Sequence, residues 1–165
     1  MTGTNKTKTT TMNNEDFCTY EIARMLKAMG FDWPCSHYYT KENAVDDEVW
    51  ITPSAFSLKD WNNGRNAEPD FLKPLCSAPT LYSAQKWLRE IIGIHVGVTP
   101  VIQIRKWQFY LDDLTQHINP HDGEMLTRCT EEMQDEYDEE YFDTYESALS
   151  AGIVAALKLI EEGEG

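Results

Sequence analysis

Residues 78–113 read APTLYSAQKWLREIIGIHVGVTPVIQIRKWQFYLDD, and this stretch decides the fold. Its first part has helical period. Leu81, Ala84, Leu88, Ile91 and Ile92 make one apolar face, Trp87 widens it, Thr80 behind Pro79 is the N-cap, and Gly93 is the stop. The period then changes to that of a strand. Ile94, Val96 and Val98 alternate with His95 and Gly97, and Trp107, Phe109 and Leu111 alternate again as a partner strand that ends near Asp112 and Asp113. Pro100 interrupts the first of these strands, and residues 101–105 are expected to continue it past a bulge. The unit is therefore a helix followed by a hairpin.

Upstream the same order recurs. A helix is expected over residues 15–29, with Asn14 as N-cap, Cys18, Ile22, Met25, Leu26 and Met29 on one face, and Gly30 at its end. After a turn at residues 31–34, residues 36–40 and 48–52 hold the β-formers Tyr38, Tyr39, Val49, Trp50 and Ile51, which read as a second hairpin. Residues 53–78 combine turn chemistry (Pro53, Pro69, Pro74, Asn62-Asn63-Gly64) with Phe56, Leu58, Trp61, Phe71, Leu72 and Leu75, so they read as a loop packed onto the core. Downstream, Asp143 and Glu146 have capping-box spacing, and Leu149, Gly152, Ile153, Ala156, Leu157 and Ile160 form the buried face of a third helix near residues 144–161. The resulting order is α-β-β-α-β-β-α. It implies an α+β fold in which an antiparallel sheet of about four strands, in two hairpins, packs with three helices. Residues 1–13 are expected to be a disordered Thr-rich tail, and residues 14–162 a single α+β domain.

Composition narrows the function classes. The chain has 165 residues, 14 Lys+Arg against 28 Asp+Glu, and a net charge of −14. Direct nucleic-acid binding is not expected, because neutralising phosphates needs a surplus of cations. The longest uncharged apolar run, residues 152–157, is far short of the roughly 20 residues of a membrane helix, so no membrane association is expected. The polar N-terminus has no apolar signal-peptide core. Cys18, Cys35, Cys76 and Cys129 are spaced without a CxxC pair, which points to free thiols in a reducing cytoplasm.

Three segments together carry a resemblance. They are YEIARMLKAMGF at residues 20–31, APT leading into QKWLRE at residues 85–90, and TYESAL at residues 144–149 leading into AALKLI at residues 155–160. They resemble a family of small proteins, without an established activity, encoded by phages and prophage-like elements of gut bacteria. The resemblance spans about residues 17–160 and departs from the family pattern in the long insert at residues 53–75. It implies an accessory protein made in the cytoplasm of a bacterial host, or a virion component, and it carries no catalytic residues over.

The charge is concentrated rather than spread. Residues 129–165 hold 12 acidic residues and one lysine, and nine of those acids fall in residues 131–146, where no Lys or Arg occurs. Tyr137, Tyr141, Phe142 and Tyr145 interleave with them. Acids steer a cationic partner and aromatics supply contact area, so Glu136, Tyr137, Glu139, Glu140, Tyr141 and Phe142 are the candidate partner surface, for a protein partner whose expected character is basic. The reading is a non-enzymatic accessory protein that binds a host protein or imitates the charge of nucleic acid. One alternative is a virion assembly component. Another is a small-ligand, nucleotide-like binder or enzyme using the loop of Trp61 and Arg65, a pair able to stack on a flat ligand. His117 and His121, with Asp113, Asp122 and Cys129 nearby, lack the convergent spacing of a zinc site, Pro120 breaks any helix between them, and Cys35 with His37 lacks an orienting third group. No metal, cofactor or catalytic residue is expected.

Overall fold

The computed structural model describes residues 14–41, 48–54, 58–63 and 74–163. The expected Thr-rich tail at residues 1–13 lies outside them. The fold is mixed α+β with antiparallel sheets.

The first helix, α1, runs over Tyr20–Ala28 rather than from Glu15. Its N-cap is Thr19, whose hydroxyl accepts from the Ile22 N–H at 3.3 Å, and not Asn14. A short 3-10 turn at Asn14–Asp16 precedes it, but Phe17 is extended and bridges Thr80, and the Cys18 N–H donates to the Pro79 carbonyl at 2.9 Å. That pairing keeps the backbone at Phe17 and Cys18 extended, so the helix cannot begin earlier.

Strands β1 (His37–Lys41) and β2 (Val49–Pro53) form the expected first hairpin, with Tyr39 opposite Ile51. A strand that the sequence reading took as loop, β3 (Pro74–Ser77), adds to the other edge of β1, with Tyr39 opposite Cys76. The sheet order is β2-β1-β3. The second edge of β1 is taken by β3 rather than by a strand of the second hairpin, which forms its own two-stranded sheet, so the single four-stranded sheet is corrected to separate sheets. As a central strand, β1 buries both its faces: Tyr38 enters the main core, while Tyr39 packs with Ala23, Cys76 and Ala78 in a smaller cluster.

Helix α2 (Leu81–Trp87) is capped by Thr80 as expected, with the Ser83 N–H donating to its hydroxyl at 3.1 Å. It continues as a π-helical turn over Leu88–Ile92 and stops at Gly93, where φ is 81°. The wider turn rotates the face, so Leu81, Ala84, Trp87 and Leu88 are buried while Ile91 points outward. Strands β4 (Ile94–Val101) and β5 (Lys106–Asp113) pair along their length. Pro100 takes its place within β4, opposite Trp107, and no bulge carries the strand on: residues 102–105 are the turn, closed by Arg105 at a φ of 53°.

The helix at the C-terminal end, α4 (Tyr145–Gly163), lies on β4 and β5. Thr144, not Asp143, accepts from the Ser147 N–H, at 3.1 Å. Gly152 makes the close approach possible: a Cβ there would meet Val96 Cγ1 at 2.5 Å and Phe109 Cβ at 3.0 Å. The main core takes side chains from Cys18 through Ile160. Between β5 and α4 come two elements the sequence reading lacked, a small ribbon, β6 (His117–Ile118) with β7 (Met125–Leu126), and helix α3 (Glu131–Tyr137). The described helices therefore number four where three were expected.

Candidate functional site

The acidic segment is built against the edge of β5 that does not face β4. Thr130 starts α3 by accepting from the Met133 N–H at 3.3 Å, and Glu131 and Glu132 fill its first turn, where the helix dipole favours negative charge. No residue of α3 is fully buried: Met133 and Tyr137 pack, partly buried, against the main core, and polar pins do the rest. The Gln134 side-chain amide donates to the Leu111 carbonyl at 2.6 Å, and Gln108 on β5 donates to the Asp138 carbonyl at 2.6 Å, at the C-terminal end of α3. Trp107 and Phe142 then exchange two backbone hydrogen bonds of 2.8 Å, which continues the attachment as an isolated bridge. Lys106 pairs with Asp143 beside it.

This geometry divides the candidate surface residues. The ring of Tyr137 packs 4.9 Å from that of Phe109, and Phe142 stands 6.0 Å from the same ring, so both are partly buried against the main core. Burial first, and then the carboxylate of Glu136, hold the Tyr137 hydroxyl above its ordinary pKa. Tyr141 differs: it is 50% exposed. Glu136, Glu139 and Glu140 are exposed around it. The segment thus presents a carboxylate field with Tyr141 as its most exposed aromatic side chain, on a backbone fixed from behind.

The other candidates are placed elsewhere. Trp61 is buried at 2% exposure, its indole N–H donates to the Cys35 carbonyl at 3.1 Å, and its ring lies 4.5 Å from that of Tyr38. It is a core side chain with no face left open for stacking. Arg65 lies outside the described residues. Burial pushes the Cys35 thiol up to about 12, and His37 hydrogen-bonds Ser36 at 2.8 Å. His117 and His121 are exposed on the ribbon, and among the described residues no group of three or more His, Cys, Asp or Glu side chains comes together to hold a metal ion. No helix among them is long and apolar enough to cross a membrane.

One cluster escaped the sequence reading. Asp113 is buried and its carboxylate takes the Arg128 guanidinium at 2.7 and 3.1 Å, the Arg128 backbone N–H at 2.7 Å, and the Thr115 N–H and hydroxyl at 3.0 and 2.7 Å. Arg128 also reaches the Ile92 carbonyl at 3.1 Å. The Arg128 guanidinium, against the opposing effect of burial, holds the Asp113 carboxyl well below the usual carboxylate range. The cluster ties the end of β5, the end of the π-helical turn and the base of the ribbon into one knot. Fifteen residues separate the two charges, and nothing local in the sequence signals their meeting. A cleft of about 320 Å³ opens beside it, walled by Tyr110, Asp112, Cys129, Glu131, Gln134 and Asp135. No family model, no curated protein and no solved structure matches this chain.

Proposed function

We propose that the chain is a non-enzymatic interaction protein of the phage- and prophage-encoded kind, acting in the cytoplasm of a bacterial host through the carboxylate surface of Glu136, Glu139 and Glu140 around Tyr141. The partner is a basic host protein, for which this surface imitates the charge of nucleic acid. One observation carries the reading: a self-repelling acidic segment is held in a fixed shape by Gln134, Gln108 and the bridge at Phe142, with its charges outward. Glu136, Asp138, Glu139 and Glu140 stand in or beyond the last turn of α3, where the helix dipole opposes negative charge. A fold with no use for that charge is relieved by a single lysine, and none is present in residues 131–146.

The test is affinity capture from bacterial lysate with the parent chain and with Glu139→Gln/Glu140→Gln side by side. The reading expects a basic protein retained by the parent, eluted by salt, and captured more slowly by the variant. Equal retention by parent and variant would overturn it.

A further inference from the structure

The ribbon of β6 and β7 is an unusual thing to stabilise. A two-stranded ribbon is marginal in water on its own, and this one has only two paired residues per strand. It is nevertheless fixed at both ends. At the tip, Asn119 donates its backbone N–H to the Glu124 carbonyl at 2.8 Å and its side-chain amide to Asp122 at 2.9 Å, while its side-chain oxygen accepts from the His121 N–H at 3.0 Å. Asp122 also accepts from the Glu124 N–H at 2.9 Å. At the base stands the Asp113–Arg128 knot.

What this frame holds out is apolar. Ile118 and Met125 are directly paired, so they share one face, and they are 64% and 55% exposed. Leu126, on the other face opposite His117, is 44% exposed. The surroundings are acidic. From Asp112 to Glu140 there are 11 Asp and Glu and one arginine, Arg128, which is engaged by Asp113. The ribbon and α3 adjoin: Asp113 and Thr127 line both the cleft against Glu131 and Asp135 and a second one against His117 and Leu126.

We propose that Ile118 and Met125 dock a short basic protein segment bearing its own apolar side chains, drawn in by the carboxylates at the ribbon base and on α3. This deepens the proposed function and rests on it for the sign of the partner's charge. Charge complementarity selects the occupant. A second copy brings another −14 to an already acidic rim, which opposes self-association. Two exposed side chains also supply far less than the roughly 800 Å² per partner of a stable pair of globular proteins, so a segment fits and a domain does not.

Two peptides of equal length and charge serve as probes for the full chain, one of leucine and lysine, the other of serine and lysine, read by fluorescence anisotropy. The leucine peptide is expected to bind about tenfold more tightly than the serine peptide. Ile118→Ser/Met125→Ser should abolish that difference without altering serine-peptide affinity, the single variants Ile118→Ser and Met125→Ser should each reduce it, and Leu126→Ser, on the other face of the ribbon, should leave it intact. Equal binding of both peptides to the parent, or an advantage that survives the Ile118 and Met125 variants, overturns ribbon docking and leaves the acidic surface standing. Absence of binding by either peptide overturns both readings. If Glu139→Gln/Glu140→Gln alters neither peptide while the leucine advantage persists, the proposed function fails and ribbon docking stands. A concentration-dependent dimer in sedimentation that Ile118→Ser/Met125→Ser abolishes makes a second copy the occupant and overturns the proposal.

Discussion

Helices α4 and α3 are neighbours in sequence and are attached by opposite means. In α4, Ala148, Leu149, Gly152, Ile153, Ala156, Leu157 and Ile160 are buried, and the small Gly152 lets the axis settle onto Val96 and Phe109. In α3 no residue is fully buried: only Met133 and Tyr137 rest partly on the core, and the helix is otherwise held by a threonine cap and two side-chain amides that meet carbonyls. Burial scales with area removed from water and opens only when the core opens. A few polar bonds exchange with water at modest net cost, about 1 kcal/mol each. The contrast teaches that the acidic surface is ordered without being integral to the core, so it can change its charges freely and open locally.

The sharpest way to break this comparison is Ile153→Ala. Its side chain is fully buried, and the loss is expected near 3 kcal/mol of global stability in urea unfolding. A much smaller loss would mean that α4, too, is only loosely bound.

Next comes the knot at the ribbon base. Arg128→Met strands the buried Asp113 carboxylate, at a cost of roughly 2 kcal/mol, below the value for fully buried pairs because the arginine side chain is 36% exposed. The sign with pH follows from the depressed Asp113 pKa. Its stabilisation is fully present above the unfolded-chain value, near ~4, and is lost as pH falls below that value through the folded one. Asp113→Asn should therefore be less stable than the parent by a constant amount from neutral pH down to about pH 5, and the gap should narrow in stronger acid. A gap that widens in acid contradicts the ion pair.

Gln134→Ala tests the hinge of the comparison itself. The loss is about 1 kcal/mol, and hydrogen exchange should speed up in α3 while α4 and β4 keep their protection. Uniform loss of protection would show that α3 is part of the cooperative core. The smallest effect belongs to Lys106→Met. Its partner Asp143 is 82% exposed, so stability should change by no more than about 0.5 kcal/mol, and added salt should erase the difference.

The same contrast governs what was legible in the sequence. Elements attached by burial carry periodicity, and so α2, α4, β4 and β5 were readable from Leu81, Ala84 and Leu88, from Leu149, Ile153 and Leu157, and from the alternation along each strand. Helix α3 carries only Met133 and Tyr137, four apart, as an apolar stripe, and a further signal did exist in Thr130 followed by Glu131 and Glu132, a cap with acids in its first turn. Strand β3 hid behind Pro74, which occupies a strand edge and breaks its hydropathic pattern. The acidic surface was visible as composition, but the inward turn of Tyr137 and Phe142 depends on Phe109, some thirty residues away in the chain. The burial of Trp61 agrees with reading its loop as packed onto the core, but its partners Tyr38 and Cys35 were not legible, since only the fold brings them to it.

The four thiols acquire a use from their placement. Cys18 and Cys35 belong to the main core, Cys76 to the smaller cluster beside β3, and Cys129 lies partly buried on the cleft next to α3. Burial pushes all of them up, Cys35 to about 12 and Cys76 and Cys129 to about 11, so none offers an appreciable thiolate at neutral pH while its surroundings stay closed. A thiol reagent therefore meets four native clocks wound to different depths. The rate at which each one is modified times the opening of its own neighbourhood, and the chain carries an unfolding chronometer that needs no added label.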